Sequence, residues 1–215
     1  MANSYLPVSI SLKNRTCLII GGGKVALRKI DTLLDYDPAI TVIAPEPDEK
    51  IRYYAAKGKL TLQERGYKSP EASDYGLVIA ASDDIEVNKR VYDDCQRTGT
   101  PVNVVDNPNL CDFIFPAVVK RDFLTVAVST DGKAPFLSGH LRLILDDVFP
   151  AHWKKIARHA AEFRKRLQER WADNPNEKAE AISRFLSADW KKMIKEHDDG
   201  EIRARLDRML EGNAD

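Results

Sequence analysis

Cysteine is scarce in this chain of 215 residues: Cys17, Cys95 and Cys111 are its three. Their number is odd and none shares CxxC spacing, which argues against a disulfide framework and for reduced thiols in the cytoplasm. Long apolar runs and a signal-peptide pattern are also missing, so no membrane association is expected. Net charge is missing too, with 33 Lys plus Arg against 33 Asp plus Glu. Such a balance provides no field to draw in nucleic acid, and any electrostatic work has to be local. The four histidines, His140, His152, His159 and His197, form no Cys/His set at ligand spacing, so no resident metal centre is expected.

What the chain does have is alternation. Short apolar runs, "TCLII" (16–20), "AITVIA" (39–44), "LTLQER" (60–65), "GLVIAA" (76–81) and "VNVV" (102–105), read as strands. Helical segments at 24–34, 48–57 and 84–99 fall between them. Apolar strands separated by amphipathic helices predict an α/β fold with a Rossmann-type doubly wound parallel sheet.

The first strand hands over to the first helix through Gly21, Gly22 and Gly23, followed by Lys24, Val25 and Ala26. Gly21-x-Gly23-x-x-Ala26 is the dinucleotide fingerprint with its last glycine replaced by the next smallest residue. The first glycine serves the tight turn, the second clears a Cβ from the pyrophosphate, and the alanine lets helix and strand approach. The helix N-terminus offers N–H groups to phosphate. Residues 21 to 26 are therefore candidate cofactor ligands. The acid expected at the end of the second strand is absent; Ala44 and Pro45 stand there, and Glu46 follows as the candidate ribose ligand. Composition alone leaves NAD against NADP open. Ala81, Ser82 and Asp83, after the fourth strand, and Val104, in the fifth, complete the expected cofactor crevice, although Ser82 or Asp83 is equally suited to capping the next helix.

After the fifth strand the pattern changes. "FIFPAVV" (113–119) and "FLTVAVS" (123–129) read as a hairpin turning at Lys120-Arg121-Asp122, with Pro116 marking an edge or a bulge. A two-stranded hairpin is marginal alone, which predicts a homodimer built here, followed by a helix over 133–149. From Ala151 the chain reads as helical: Trp153, Ile156, Ala160, Phe163, Leu167 and Trp171 form one stripe, "NPN" (174–176) breaks it, and segments 177–197 and 200–211 follow. The expected organisation is 1–112 as the nucleotide domain, 113–150 as a dimerisation region and 151–215 as an all-helical domain.

"YLPVSISLKNRTCLIIGGGKVALRK", "VIAASDD", "VNVVDNPNLCDFIFPAVVKR" and "LTVAVSTDGKAP" together resemble the siroheme-synthase family, in its short stand-alone form that lacks the methyltransferase module. The resemblance implies NAD-dependent dehydrogenation of precorrin-2 to sirohydrochlorin, with iron insertion a second activity of some members. It implies that Asp106, at the end of the fifth strand, is the catalytic aspartate; "DNPN" alone would read as an Asx turn. The implied substrate carries eight carboxylates, so cations are expected around it. Arg28, Lys29, Lys120, Arg121, Lys133 and Arg142 are candidates, with Asn107, Ser129 and Thr130 as polar ligands. Asp131 stands where the family commonly has Gly, which weakens an anion-binding reading of that loop. The rival of another class is a dimeric binding module that senses NAD, which needs the glycines but not Asp106.

Overall fold

In a computed structural model describing residues 5–212, five short segments form strands: β1 (Thr16–Ile20), β2 (Ala39–Ile43), β3 (Thr61–Gln63), β4 (Leu77–Ala80) and β5 (Val102–Val104). They lie in the order β3-β2-β1-β4-β5, and every pairing is parallel. Helices α1 (Lys24–Leu33), α2 (Glu49–Ala56) and α3 (Ile85–Thr98) connect them.

Side chains alternate across a strand, and both faces of this sheet are covered. Cys17 and Ile19 of β1 pack with Ala26, Ile30 and Leu33 of α1 and Ile51 of α2. Leu18 and Ile20 pack on the opposite face with Val91 and Cys95 of α3. A continuous apolar run is what burial on both faces requires, and each fully buried Leu or Ile contributes about 2 kcal/mol. Because β1 leads to β2 on one side while β4 lies on its other, the topological switch falls between β1 and β4.

The chain divides into two compact units. The first runs through Phe115 and takes in Asp131–Lys133; the second comprises Pro116–Thr130 and the residues from Ala134 onward. Of the segment 113–150, Pro116–Thr130 and the part from Ala134 onward fall in the second unit with the C-terminal helices, while 113–115 and Asp131–Lys133 fall in the first.

In the second unit, β6 (Ala117–Arg121) and β7 (Leu124–Val128) form an antiparallel hairpin, followed by α4 (Pro135–Val148), α5 (Trp153–Arg170), α6 (Pro175–Ser187), α7 (Trp190–Glu196) and α8 (Asp199–Glu211). Three boundaries differ from expectation. Phe113–Phe115 are not in a strand, since pairing starts only after Pro116, which has no N–H for a ladder. Lys120 and Arg121 belong to β6, and the turn is Asp122-Phe123, with Asp122 at φ 64°. The segment 177–197 is two helices, because Asp189 caps a new start by accepting from Lys192 N–H.

The hairpin is also less bare than the sequence suggested, since α4 and α5 of the same unit pack against it. The Arg121 guanidinium locks the corner, donating to the Phe149 carbonyl at 2.6 Å and to Asp146 Oδ1 at 2.7 Å. Helix α4 nevertheless buries none of its own residues, and Phe136, Leu137, Leu143, Ile144 and Val148 are exposed along it. The C-terminal helices have their own core of Phe163, Leu167, Ala181, Phe185, Leu206 and Leu210. Among the described residues no helix is long and apolar enough to cross a membrane.

Candidate active site

β1 ends at Ile20 and α1 begins at Lys24, so the chain has three residues in which to turn. Gly21 turns at φ 115°, a conformation that residues with a Cβ rarely adopt, and a Cβ there would stand 2.2 Å from the Ala81 carbonyl oxygen. A Cβ on Gly22 would lie 2.6 Å from Cα of Pro47 and 2.8 Å from the Ala44 side chain. Gly23 is different: its φ is −82° and a Cβ would meet nothing within 4 Å. The first two glycines let backbone segments touch, and the third leaves space in front of α1.

That helix starts at exposed Lys24 and half-buried Val25 with no side-chain cap. Its first N–H groups are therefore placed to receive an anion. Ala26 is completely buried against the sheet, as close helix–strand packing asks. An uncapped helix start beside an open glycine is a cradle that fits the pyrophosphate of a dinucleotide.

Backbone bonds gather the neighbouring loops at the same sheet edge. Gly21 N–H donates to the Ile43 carbonyl at 2.9 Å, Asp48 N–H to Gly22 at 2.8 Å, Ala81 N–H to Ile20 at 2.7 Å and Val105 N–H to Ala80 at 2.9 Å. Pro45 and Glu46 are exposed in the loop after β2. Ser82 is held by a reciprocal pair with buried Asn88: its N–H donates to Oδ1 at 3.1 Å, and Nδ2 donates to its carbonyl at 2.8 Å. The cap of α3 is Asp84, which accepts from Glu86 and Val87 N–H, rather than Ser82 or Asp83. Asp83 is exposed beside it. Val104 puts its side chain into the core, so only its backbone serves the edge.

Asp106 follows β5, two strands away from β1, which places it about 10 Å across the sheet from the glycine turn. It is exposed and takes the left-handed conformation at φ 59°, uncommon for a residue other than glycine. Lys29 of α1 lies over the Phe115 ring, 3.9 Å from its centre. Burial and the Arg28 charge push the Lys29 pKa below the usual lysine value, while Cys111 and Asp106 pull it back up.

The expected substrate ligands divide between the units. Arg28, Lys29, Asn107 and Lys133 share a unit with Asp106, and the Lys133 loop comes close to it, since a Cβ on Gly132 would lie 3.8 Å from Pro108. Lys120, Arg121, Ser129 and Thr130 belong to the other unit. Arg121 is engaged with Asp146, and the Thr130 hydroxyl accepts from Ala134 N–H at 3.2 Å, so both serve their own fold. Sequence reasoning missed Tyr5, Asn88, Asn103 and Cys111, which hold the loops of the site. The only signal for Asn88 is a polar residue on the buried side of a helix, and the others gave none.

Residues 8–117 match the family model described as "Putative NAD(P)-binding". The siroheme synthase of Nitrosospira multiformis is 36% identical over 216 residues, covering 99% of this chain and 46% of that protein. The siroheme synthase of Methylococcus capsulatus is 42% identical over 165 residues, 77% of this chain and 35% of that one. The chain therefore spans less than half the length of these curated relatives. Among solved structures, "SirC, precorrin-2 dehydrogenase" superposes with a TM-score of 0.78 at 25% identity, covering 96% of this chain and all of the other.

Proposed function

Because the chain belongs to the NAD(P)-binding family, and within it to the amino-terminal part of the siroheme synthases, we propose that it dehydrogenates precorrin-2 to sirohydrochlorin with NAD. The observation that carries this reading is Asp106, exposed on the same carboxyl edge of the sheet as the glycine turn and held there in a left-handed conformation.

Bound NAD supplies the acceptor for a hydride leaving a carbon of the macrocycle. The chain's own residues do the rest. Gly21 and Gly22 let the loops close up, while the open side of Gly23 and the N–H groups of α1 receive phosphate oxygens. Glu46 is the ribose ligand, and its negative charge favours NAD over a cofactor with a ribose phosphate. Asp106 accepts the proton that leaves as the hydride departs, so the ring gains a double bond and the balance is one NADH and one proton. Lys29, with Arg28 and Lys133, receives substrate carboxylates.

Iron insertion into sirohydrochlorin is a narrower proposal on the same residue. The macrocycle sheds two protons as the metal enters, and Asp106 is an exposed carboxylate able to take them one at a time, releasing the first to solvent before it accepts the second. Purified protein should then speed iron uptake above the spontaneous rate. We also propose a homodimer built on the apolar face of α4 and a cytoplasmic location, which suits three buried, unpaired thiols.

The test of the main reading is an anaerobic assay of precorrin-2 with NAD and then with NADP, following reduced nucleotide. Turnover with NAD supports it. A protein that binds NAD yet never oxidises precorrin-2 favours the NAD-sensing module.

A further inference from the structure

The turn that presents Asp106 is closed from below by two buried polar side chains outside the crevice. Asn103, on β5 and 7% exposed, donates from Nδ2 to the Phe113 carbonyl at 2.9 Å and to Cys111 Sγ at 3.4 Å. The Cys111 thiol, 9% exposed, lies 3.2 Å from the Val104 carbonyl oxygen and 3.3 Å from that of Asn107, sharing its hydrogen between them. Val104 and Asn107 are the two ends of the turn in which Asp106 stands, and Asn107 N–H closes it by donating to Val104 at 3.2 Å. A β-bridge between Asn103 and Cys111 brings the returning chain alongside β5. Tyr5 adds a second fastening, its hydroxyl donating to the Pro108 and Cys111 carbonyls at 3.2 and 3.1 Å.

We infer that Asn103 and Cys111 form a bracket that positions Asp106, acting on catalysis through the backbone of residues 104–107 without touching substrate or cofactor. The inference rests on the reading of Asp106 as the proton acceptor. The left-handed conformation costs even an aspartate about 1 kcal/mol, so this turn keeps its geometry through the contacts that hold its two ends. The bracket supplies that constraint from one residue on each flank. Burial raises the thiol pKa, so Cys111 stays protonated and remains a donor across the neutral range. If the turn relaxes by even ~1 Å, proton transfer loses its geometry while the glycine turn, two strands away, is unaffected.

The experiment compares Cys111→Ala, Cys111→Val, Cys111→Ser and Asn103→Ala in the full chain, alone and combined with Asp106→Asn. Turnover of precorrin-2, its KM, NAD affinity and the thermal midpoint are measured for each. Cys111→Ala is expected to lower kcat about 10-fold while KM and NAD affinity stay within about twofold, and Cys111→Ser, which keeps a donor, should recover most of the loss. In the Asp106→Asn background the alanine should change the residual rate by less than about twofold, because residues acting through one group are not additive. Cys111→Val keeps the volume filled and stands in if the alanine variant does not fold. Unchanged kcat in the bracket variants of an active enzyme, or an equal loss when Asp106 is already Asn, overturns the inference alone. A wild type without precorrin-2 turnover overturns the enzymatic reading and the bracket together.

Discussion

The Lys29 ammonium lies 3.9 Å from the centre of the Phe115 ring, so a residue that follows the last strand of the parallel sheet also orients a cation of its first helix. A cation over an aromatic face is worth about 0.5–2 kcal/mol, more when desolvated. If Lys29 receives a substrate carboxylate, Phe115→Leu should raise KM for precorrin-2 by about 3- to 10-fold and leave NAD affinity alone. Lys29→Met should raise it further. Steady-state kinetics with titrated NAD check both, and an unchanged KM in Lys29→Met would remove Lys29 from the substrate site.

Two neighbouring glycines should respond in opposite ways. Gly21→Ala forces a Cβ to 2.2 Å from a backbone oxygen at φ 115°, so it should cost about 3 kcal/mol or more and lower the thermal midpoint by about 10 °C. Gly23→Ala meets open space and should melt like the wild type, but its methyl enters the room assigned to the pyrophosphate. NAD affinity should fall by about 10-fold or more. Calorimetry and nucleotide titration separate the two effects, and wild-type NAD affinity in Gly23→Ala would move the cofactor elsewhere.

Much of this was legible in the sequence, and the reasons differ by region. The strands of the parallel sheet announce themselves because burial on both faces leaves unbroken apolar runs, Cys17 to Ile20 in "TCLII" and Leu77 to Ala80 in "GLVIAA". The glycine motif announces the turn for the same local reason. Lys120 misled because a solvent-facing strand residue looks like a turn residue, Arg121 because its partners Phe149 and Asp146 lie far along the chain, and the true turn at Asp122-Phe123 has an exposed aromatic where a polar residue is expected. The break before Trp190 was hidden by an amphipathic pattern running through it, with Asp189 as its one cue. The Asn103–Cys111 bracket had no local cue, since it exists only once the chain returns past β5.

Acid should loosen the second unit through His159. This side chain is 6% exposed, its ring stacks on Trp190, and Nδ1 has no partner among the described residues. Burial pushes its pKa below the ordinary value, Asp199 and Glu162 pull it back, and Arg203 and Lys155 push it down again. The unfolded chain therefore binds the proton first as pH falls, and stability drops from about pH 6.5 down to the lowered folded pKa, below which the loss is complete. His159→Phe should flatten that dependence. Urea titrations at pH 8 and pH 5 read it, and an unaltered slope in the variant would exonerate His159.

The exposed face of α4 should be an interface between two copies. Leu143 and Ile144 are about half exposed, at 55% and 47%, on a helix that packs on its own hairpin without fully burying any of its residues. Replacing both by Glu should leave the fold intact and convert a dimer into a monomer by light scattering at micromolar concentration. A wild type that is already monomeric there contradicts the dimer.

The most direct measurement of the central claim compares wild type with Asp106→Asn in anaerobic precorrin-2 oxidation, with NAD affinity titrated on the same preparations. Losing the carboxylate while keeping its shape should cost about 100-fold or more in kcat with NAD binding within about twofold. Equal turnover by the two proteins would contradict the account.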